Sequence, residues 1–354
     1  MFKNHYEQLD VFRALAACSV AAVHFELNSV FHNYLSSRVF VQLFFTLSGF
    51  VIFLNYYDNL ANANNLLNFI KKRFKRLYPL HLFFLIIFLL IEFIKYYLLI
   101  NYNFETNNKP FSTNNLKNFF LNLFFLQHFA DVYNYNSPAW SISVEMMLYI
   151  TLGLLLLYSK KFMLPIFGVY IIVFLVFLND YYADELSITA YLSGLYSFFL
   201  GCLFCYLFLK FKRVIKNLLF ECFYLLFLVL FLFEFFYIKS IESLHYYSIF
   251  FGFIFFMSCF LDVNSKIYKV IFNKFFVFLG KISYSIYMSH LFIFWIIKFI
   301  MLSFFDVQMI SINNKLLPDI NYFYSNLITV FTYVATFLFS FFTYKYIELK
   351  FYKK

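Results

Sequence analysis

Apolar residues run in long blocks along nearly the whole chain, with polar residues gathered in short stretches between them. A helix that crosses a bilayer needs about 20 predominantly apolar residues. The chain offers ten such blocks, at 8–27, 39–57, 78–100, 140–158, 162–179, 188–209, 218–238, 246–262, 275–301 and 322–345. A further run, 115–130, is shorter and is interrupted by Lys117, Asn118, Asn122, Gln127 and His128. The pattern therefore predicts an all-α fold: a polytopic transmembrane helix bundle of about ten spans. It shows no internal repeat, and residues 1–354 read as a single integral membrane domain with no soluble domain.

Composition agrees. Of 354 residues, 63% are hydrophobic and 13% charged, against about 25% charged in soluble domains; the mean hydropathy is +0.75. The 60 Phe and 31 Tyr, alongside abundant Asn, Lys and Ile, read as the mark of an AT-rich genome rather than of an aromatic function. The net charge is +10, but the basic residues cluster between apolar runs, which is a topology signal and leaves no nucleic-acid-binding domain. Cys18, Cys202, Cys205, Cys222 and Cys259 all fall inside apolar runs and read as small core residues. Cys202 and Cys205 lack the second ligand pair of a zinc site, so no metal is expected. The first apolar run carries charges and lacks a cleavage signature, so no removable signal peptide is predicted.

Basic loops stay on the cytoplasmic side. The stretch 58–77 holds Lys71, Lys72, Arg73, Lys75 and Arg76 and reads as a cytoplasmic loop. Lys160–Lys161, the cluster Lys210, Lys212, Arg213 and Lys216, the group Lys266, Lys269 and Lys274, and the tail Lys350, Lys353 and Lys354 fall on the same side only if 115–130 does not cross. Both termini are then cytoplasmic. Residues 101–139 form an extracytoplasmic segment with an interfacial or re-entrant piece, and the acidic loop with Asp180, Asp184 and Glu185 also lies outside.

Ionisable groups inside a bilayer are costly and point to function. The first span carries Asp10, Arg13 and His24. Arg13 and His24 are 11 residues apart, which on an α-helix leaves them within roughly 20° of one face. Asp10 lies one turn from Arg13, so a purely structural pair is an alternative. The fourth span opens with Trp140, Ser143 and Glu145, and Glu145 lies about two turns below the outer surface. The ninth holds Tyr284, Tyr287, Ser289 and His290, too polar a run to face lipid. His24 sits about 24 Å above Gln8 along its helix, and Glu145 and His290 come out at a similar depth, so the three are expected to converge in the outer half of the membrane. Ser48 and Gly49, mid-span in the second run, form either a packing notch or a substrate contact. Arg73 and Arg76 either mark topology or present two guanidinium forks to the phosphates of a nucleotide carrier.

Taken in order, Leu9–Arg13 with His24, Phe44–Phe50, Arg73–Pro79, Trp140–Glu145, Ile282–Tyr287 with His290, and Tyr346–Glu348 resemble the acyltransferase family 3 membrane proteins, which O-acetylate bacterial surface and secreted glycans. The family's arginine and histidine fall on Arg13 and His24, and its Arg-x-x-Arg on Arg73 and Arg76. Val11 and Ala14 stand where the family usually has glycine. The resemblance implies an acyl-CoA donor, acetyl-CoA first, bound from the cytoplasm. The implied acceptor is an extracytoplasmic or lipid-linked sugar, as in lipopolysaccharide or polysaccharide, and no cofactor is permanently bound. It also implies a bacterial inner (cytoplasmic) membrane protein. In that picture His24 is the general base, preferred over an acyl-histidine intermediate, and Glu145 orients it or accepts its proton. Arg13 stabilises developing charge, Arg73 and Arg76 hold the donor phosphates, and Asp10, Ser48, Trp140, Ser143, Tyr284, Tyr287 and His290 position the substrates. The rival from another class is a multi-pass transporter or flippase that moves an acylated or sugar substrate without covalent chemistry.

Overall fold

The computed structural model describes residues 6–30, 37–60, 62–103, 109–130, 132–178, 188–211, 215–235, 246–305, 307–312 and 315–352. The acidic loop around Asp180, Asp184 and Glu185, and Lys212, Arg213, Lys353 and Lys354, lie outside them.

The architecture is an all-α membrane-type bundle. Its helices are α1 (Glu7–His24), α2 (Ser37–Tyr56), α3 (Ala63–Tyr102), α4 (Leu116–Leu123), α5 (Trp140–Tyr158), α6 (Met163–Val173), α7 (Ile188–Phe211), α8 (Leu218–Phe233), α9 (Tyr246–Ser258), α10 (Lys266–Ile271), α11 (Lys274–Lys281), α12 (Ser283–Phe304), α13 (Tyr322–Thr343) and α14 (Leu349–Tyr352). A small antiparallel hairpin, β1 (Met309–Ile312) and β2 (Lys315–Pro318), joins α12 to α13, with Met309 opposite Pro318. Among the described residues, seven helical stretches are long and apolar enough to cross a membrane, and α8 and α9 are shorter apolar helices. α1 is 18 residues long and carries Glu7, Asp10 and Arg13.

Each of the ten expected runs is occupied by helix, with two differences. The basic stretch expected as a loop is helical: α3 begins at Ala63 and runs 40 residues, so Arg73 and Arg76 lie well inside it, just before Pro79. Asn62 caps its start by accepting from the Asn65 N–H. The run 275–301 divides at Ile282 into α11 and α12, and Asn273 caps α11 by accepting from Phe275 and Phe276 N–H. α5 begins at Trp140 as expected, led in by a 3-10 turn, Ser137–Ala139, whose Pro138 needs no N–H partner.

α2 is the central post: 83% of its most apolar 18-residue stretch is buried, against 22% for α3 and α6 and 28% for α13. A helix apolar all round belongs at the centre, while one-sided burial leaves the outer face for lipid. α2 and α7 make the most extensive helix pair, because Gly49 and Gly201 form reciprocal notches. A Cβ on Gly49 would overlap the Phe198 carbonyl, and one on Gly201 the Thr46 carbonyl. Beside them Gln42, Ser193, Ser197 and Ser248 satisfy one another across α2, α7 and α9. The close approach at α1 comes from α11: a Cβ on Gly280 would collide with the Asp10 backbone. The small Ala14 and Ala17 of α1 pack there against Leu279, Ile282 and Ile286. Polar spokes hold α13 in place, where Ser325, Thr329, Thr332, Thr336, Ser340 and Thr343 are all buried and Ser340 meets Ser289 of α12 at 2.8 Å.

Candidate active site

Two polar centres lie between α1 and α12, at different levels of the bundle. The first is a cleft whose empty volume, counted out to its open mouth, is about 750 Å³. Arg13, Ser48, Arg76, Ser141, Glu145, Tyr149, Tyr284 and Tyr287 supply its polar lining. Arg13 donates to Asp10 Oδ1 at 2.6 Å, which turns the guanidinium across the face of α1. Arg76 lies within electrostatic reach of Arg13, Tyr149, Tyr284 and Glu348. Glu145 accepts from Ser48 Oγ at 3.0 Å and from the Tyr149 hydroxyl. Glu348, in the π-turn that follows α13, accepts from Ser285 Oγ at 3.0 Å. Two guanidinium groups and a carboxylate therefore share one part-buried cleft, where low dielectric strengthens their hold on an ionic group.

The second centre is a pair of imidazoles. His24 Nδ1 lies 3.0 Å from His290 Nε2, and His290 Nδ1 lies 3.2 Å from the Ile286 carbonyl one turn back on α12. His290 is fully buried and His24 partly so. Tyr287 connects the centres: it lines the cleft, its ring is 6.0 Å from that of His290, and its hydroxyl meets Ser141 Oγ at 2.7 Å and donates to the Pro138 carbonyl at 3.1 Å.

A model of an acyltransferase domain matches residues 6–345 of the chain. The chain belongs to acyltransferase family 3. With its long apolar helices, it is a multi-pass membrane acyltransferase. No curated protein and no solved structure matches it.

Against the expectations for this acyltransferase, the structure brings together Arg13, Ser48, Arg76, Glu145, Tyr284 and Tyr287 around the cleft, and His24 with His290 beyond it. Four side chains sit elsewhere than the sequence suggested. Glu145 does not converge with the histidines; it is engaged with Ser48 and Tyr149 in the cleft, whose lining includes neither His24 nor His290. Arg73 does not present its fork beside Arg76. It is 2% exposed and turns the other way into an aromatic cage, donating to the Tyr56 hydroxyl at 3.0 Å. Its charge lies 5.3, 5.9 and 5.8 Å from the centres of Tyr56, Phe69 and Tyr149. Three residues along a helix rotate a side chain by about 300°, and at this packed position the remaining 60° separates cage from cleft. Ser143 is fully buried and donates to the Trp140 carbonyl, while Ser141 lines the cleft in its place. Trp140, expected to position substrate, is not in the cleft lining; its ring packs against Phe45 and His128. Sequence reasoning gave no role to Ser141, Tyr149 or Glu348, although Ser141 and Glu348 lie in stretches that carry the family resemblance. Tyr149 had a signal, a hydroxyl one turn after Glu145.

The segment after α3 folds back along it. Buried Glu92 gathers Lys95, the Phe111 N–H and Asn114. Further along, His81 meets the Asn122 carbonyl at 2.8 Å, and Phe125 packs on Phe74, Tyr78 and His81. The run 115–130 therefore travels beside α3 from the level of Glu92 to that of Phe74.

Proposed function

We propose that this acyltransferase moves an acetyl or similar acyl group from cytoplasmic acyl-CoA to a hydroxyl of an extracytoplasmic or lipid-linked sugar, with His24 as general base. The observation that carries this reading is the spacing of the two centres along α1. Arg13, in the cleft, and His24, in the imidazole pair, are separated by three helical turns, a rise of about 16 Å. An extended pantetheine arm spans such a gap. A donor whose phosphates rest at Arg76 and Arg13 would therefore bring its thioester to the level of His24. Guanidinium groups suit phosphate because their planar fork matches two oxygens at once.

In the reaction, His24 takes the proton of the acceptor hydroxyl as its oxygen attacks the thioester carbonyl. The carbon–sulfur bond then breaks, and the imidazolium passes its proton to the departing sulfur, so CoA leaves as the thiol and the base is restored. Holding donor and acceptor on one path through the bundle supplies proximity. No cofactor is permanently bound in this scheme, and the bilayer is the solvent of the protein. The basic clusters on α3 and beyond α9 support a cytoplasmic donor side under the positive-inside rule, in a bacterial inner membrane.

The test is transfer of radiolabel from acetyl-CoA into the glycan fraction of membranes, comparing wild type with His24→Ala at equal abundance. Label in wild type and its loss in the variant support the assignment. Equal label in both rules out His24 as base. Movement of an unmodified substrate across the membrane with no label transferred would favour the carrier reading.

A further inference from the structure

The imidazole pair fixes which nitrogen of His24 is basic. A carbonyl oxygen only accepts hydrogen bonds. His290 Nδ1, 3.2 Å from the Ile286 carbonyl, must therefore carry a proton. A charged imidazole without a counter-ion is costly in a buried site, and His290 is fully buried. In the neutral ring that leaves the lone pair on Nε2. That same Nε2 is the atom 3.0 Å from His24 Nδ1, so His24 must donate from Nδ1. The unprotonated nitrogen of His24 is then Nε2. Ring geometry agrees: the centres are 5.2 Å apart and the planes differ by only 21°. Rings that share an in-plane hydrogen bond edge to edge have this separation and near-coplanarity, whereas rings stacked face to face would come closer.

The anchor is built into the helix. Ile286 and His290 are one turn apart on α12, and Ser289 beside them is tied to Ser340 of α13. The imidazole is thus held by its own backbone and not by a carboxylate.

We propose that His290 is a positioning residue that holds His24 in the Nδ1–H tautomer, so that Nε2 of His24 takes the proton from the acceptor hydroxyl. This rests on the reading of His24 as the base. When Nε2 gains the proton, the ring becomes cationic and its Nδ1–H still donates to the His290 lone pair, a bond that strengthens with the charge. No second proton moves, and the Nε2 proton leaves with the thiolate. A carboxylate does this work in serine hydrolases, where the wrong tautomer costs about 10⁴-fold. A neutral imidazole stabilises the developing cation less.

The test compares His290→Phe, His290→Gln and His24→Ala in membranes at matched abundance. His290→Phe keeps a flat ring and removes the acceptor, so kcat should fall on the order of 10²-fold with the acyl-CoA KM little changed. His290→Gln offers an amide oxygen to His24 Nδ1–H and should recover most of that loss. A wild-type kcat in His290→Phe overturns the positioning role, as does a His290→Gln variant no better than His290→Phe. Wild-type transfer by His24→Ala instead overturns the reading beneath it. The tautomer can also be read without any His290 variant, from ¹⁵N spectra of histidine-labelled wild-type protein in nanodiscs at neutral pH. There are seven histidines, and His24→Gln assigns the one that matters. An imine-type Nε2 with a pyrrole-type Nδ1 supports the proposal, and the reverse pattern overturns it whatever the kinetics show.

Discussion

Replacing Arg73 by alanine should damage the fold before it damages donor binding. The side chain is 2% exposed and caged by three rings. A desolvated cation over an aromatic face contributes up to about 2 kcal/mol, and a hydrogen bond to a charged group about 1.5–3 kcal/mol. These contributions share the same groups and do not simply add, so the loss should be on the order of 3 kcal/mol. Arg73→Lys keeps the charge but not the flat fork, and should lose less. The damage should also reach the cleft, because Tyr149, one wall of the cage, is the residue whose hydroxyl holds Glu145. The assay pairs thermal unfolding of purified protein in nanodiscs with transfer kinetics for Arg73→Ala and Arg76→Ala. The expected result is a clear drop in unfolding temperature with Arg73→Ala. Arg76→Ala, in contrast, should leave the unfolding temperature near wild type and raise the acyl-CoA KM at least 10-fold, a loss of about 1.4 kcal/mol in donor binding. An Arg73→Ala protein of wild-type stability, with a donor KM raised as far as in Arg76→Ala, would refute the cage argument and restore Arg73 as a phosphate ligand.

Three further outcomes test the cleft and its supports. Glu145→Gln retains an acceptor for Ser48 and Tyr149 while removing the charge near Arg13 and Arg76, so transfer should fall at least about 10-fold at normal abundance; unchanged transfer would show that the carboxylate charge plays no part. Gly280→Ala puts a Cβ into the Asp10 backbone and should destabilise by about 1–3 kcal/mol as α1 is pushed off α11, read as lower membrane abundance and lower transfer together. Ser141→Ala removes a hydroxyl that meets Tyr287 and should lower transfer several-fold, whereas Ser143→Ala, which loses only a bond to the Trp140 carbonyl, should stay within about twofold of wild type.

Much of this protein was legible along the chain. Apolar runs separated by basic clusters define membrane helices by length and hydropathy alone, because the bilayer leaves backbone groups no partner but their own helix. The cost of a buried charge likewise marked Asp10, Arg13, Glu145 and the two histidines as residues needing partners. Periodicity also put Arg13 and His24 on one face of α1, and the fold keeps them there on the side that meets α12.

Tertiary packing decided which of these groups meet. Depth estimates put Glu145 level with His24 and His290, but they count residues along isolated helices and ignore both tilt and the break at Ile282. Packing between the helices leaves Glu145 with Ser48 and Tyr149 while His24 pairs with His290. The arginines of α3 divided for a similar reason. Sequence spacing shows that Arg73 and Arg76 neighbour each other, but only the positions of Tyr56, Phe69 and Tyr149, drawn from three helices, show that one is enclosed and the other faces the cleft. The pairing of His24 with His290 joins residues 266 positions apart. A single sequence carries the chemistry of each ring, and the crossing of α1 and α12 sets the distance between them, which depends on the packing of every helix around that crossing.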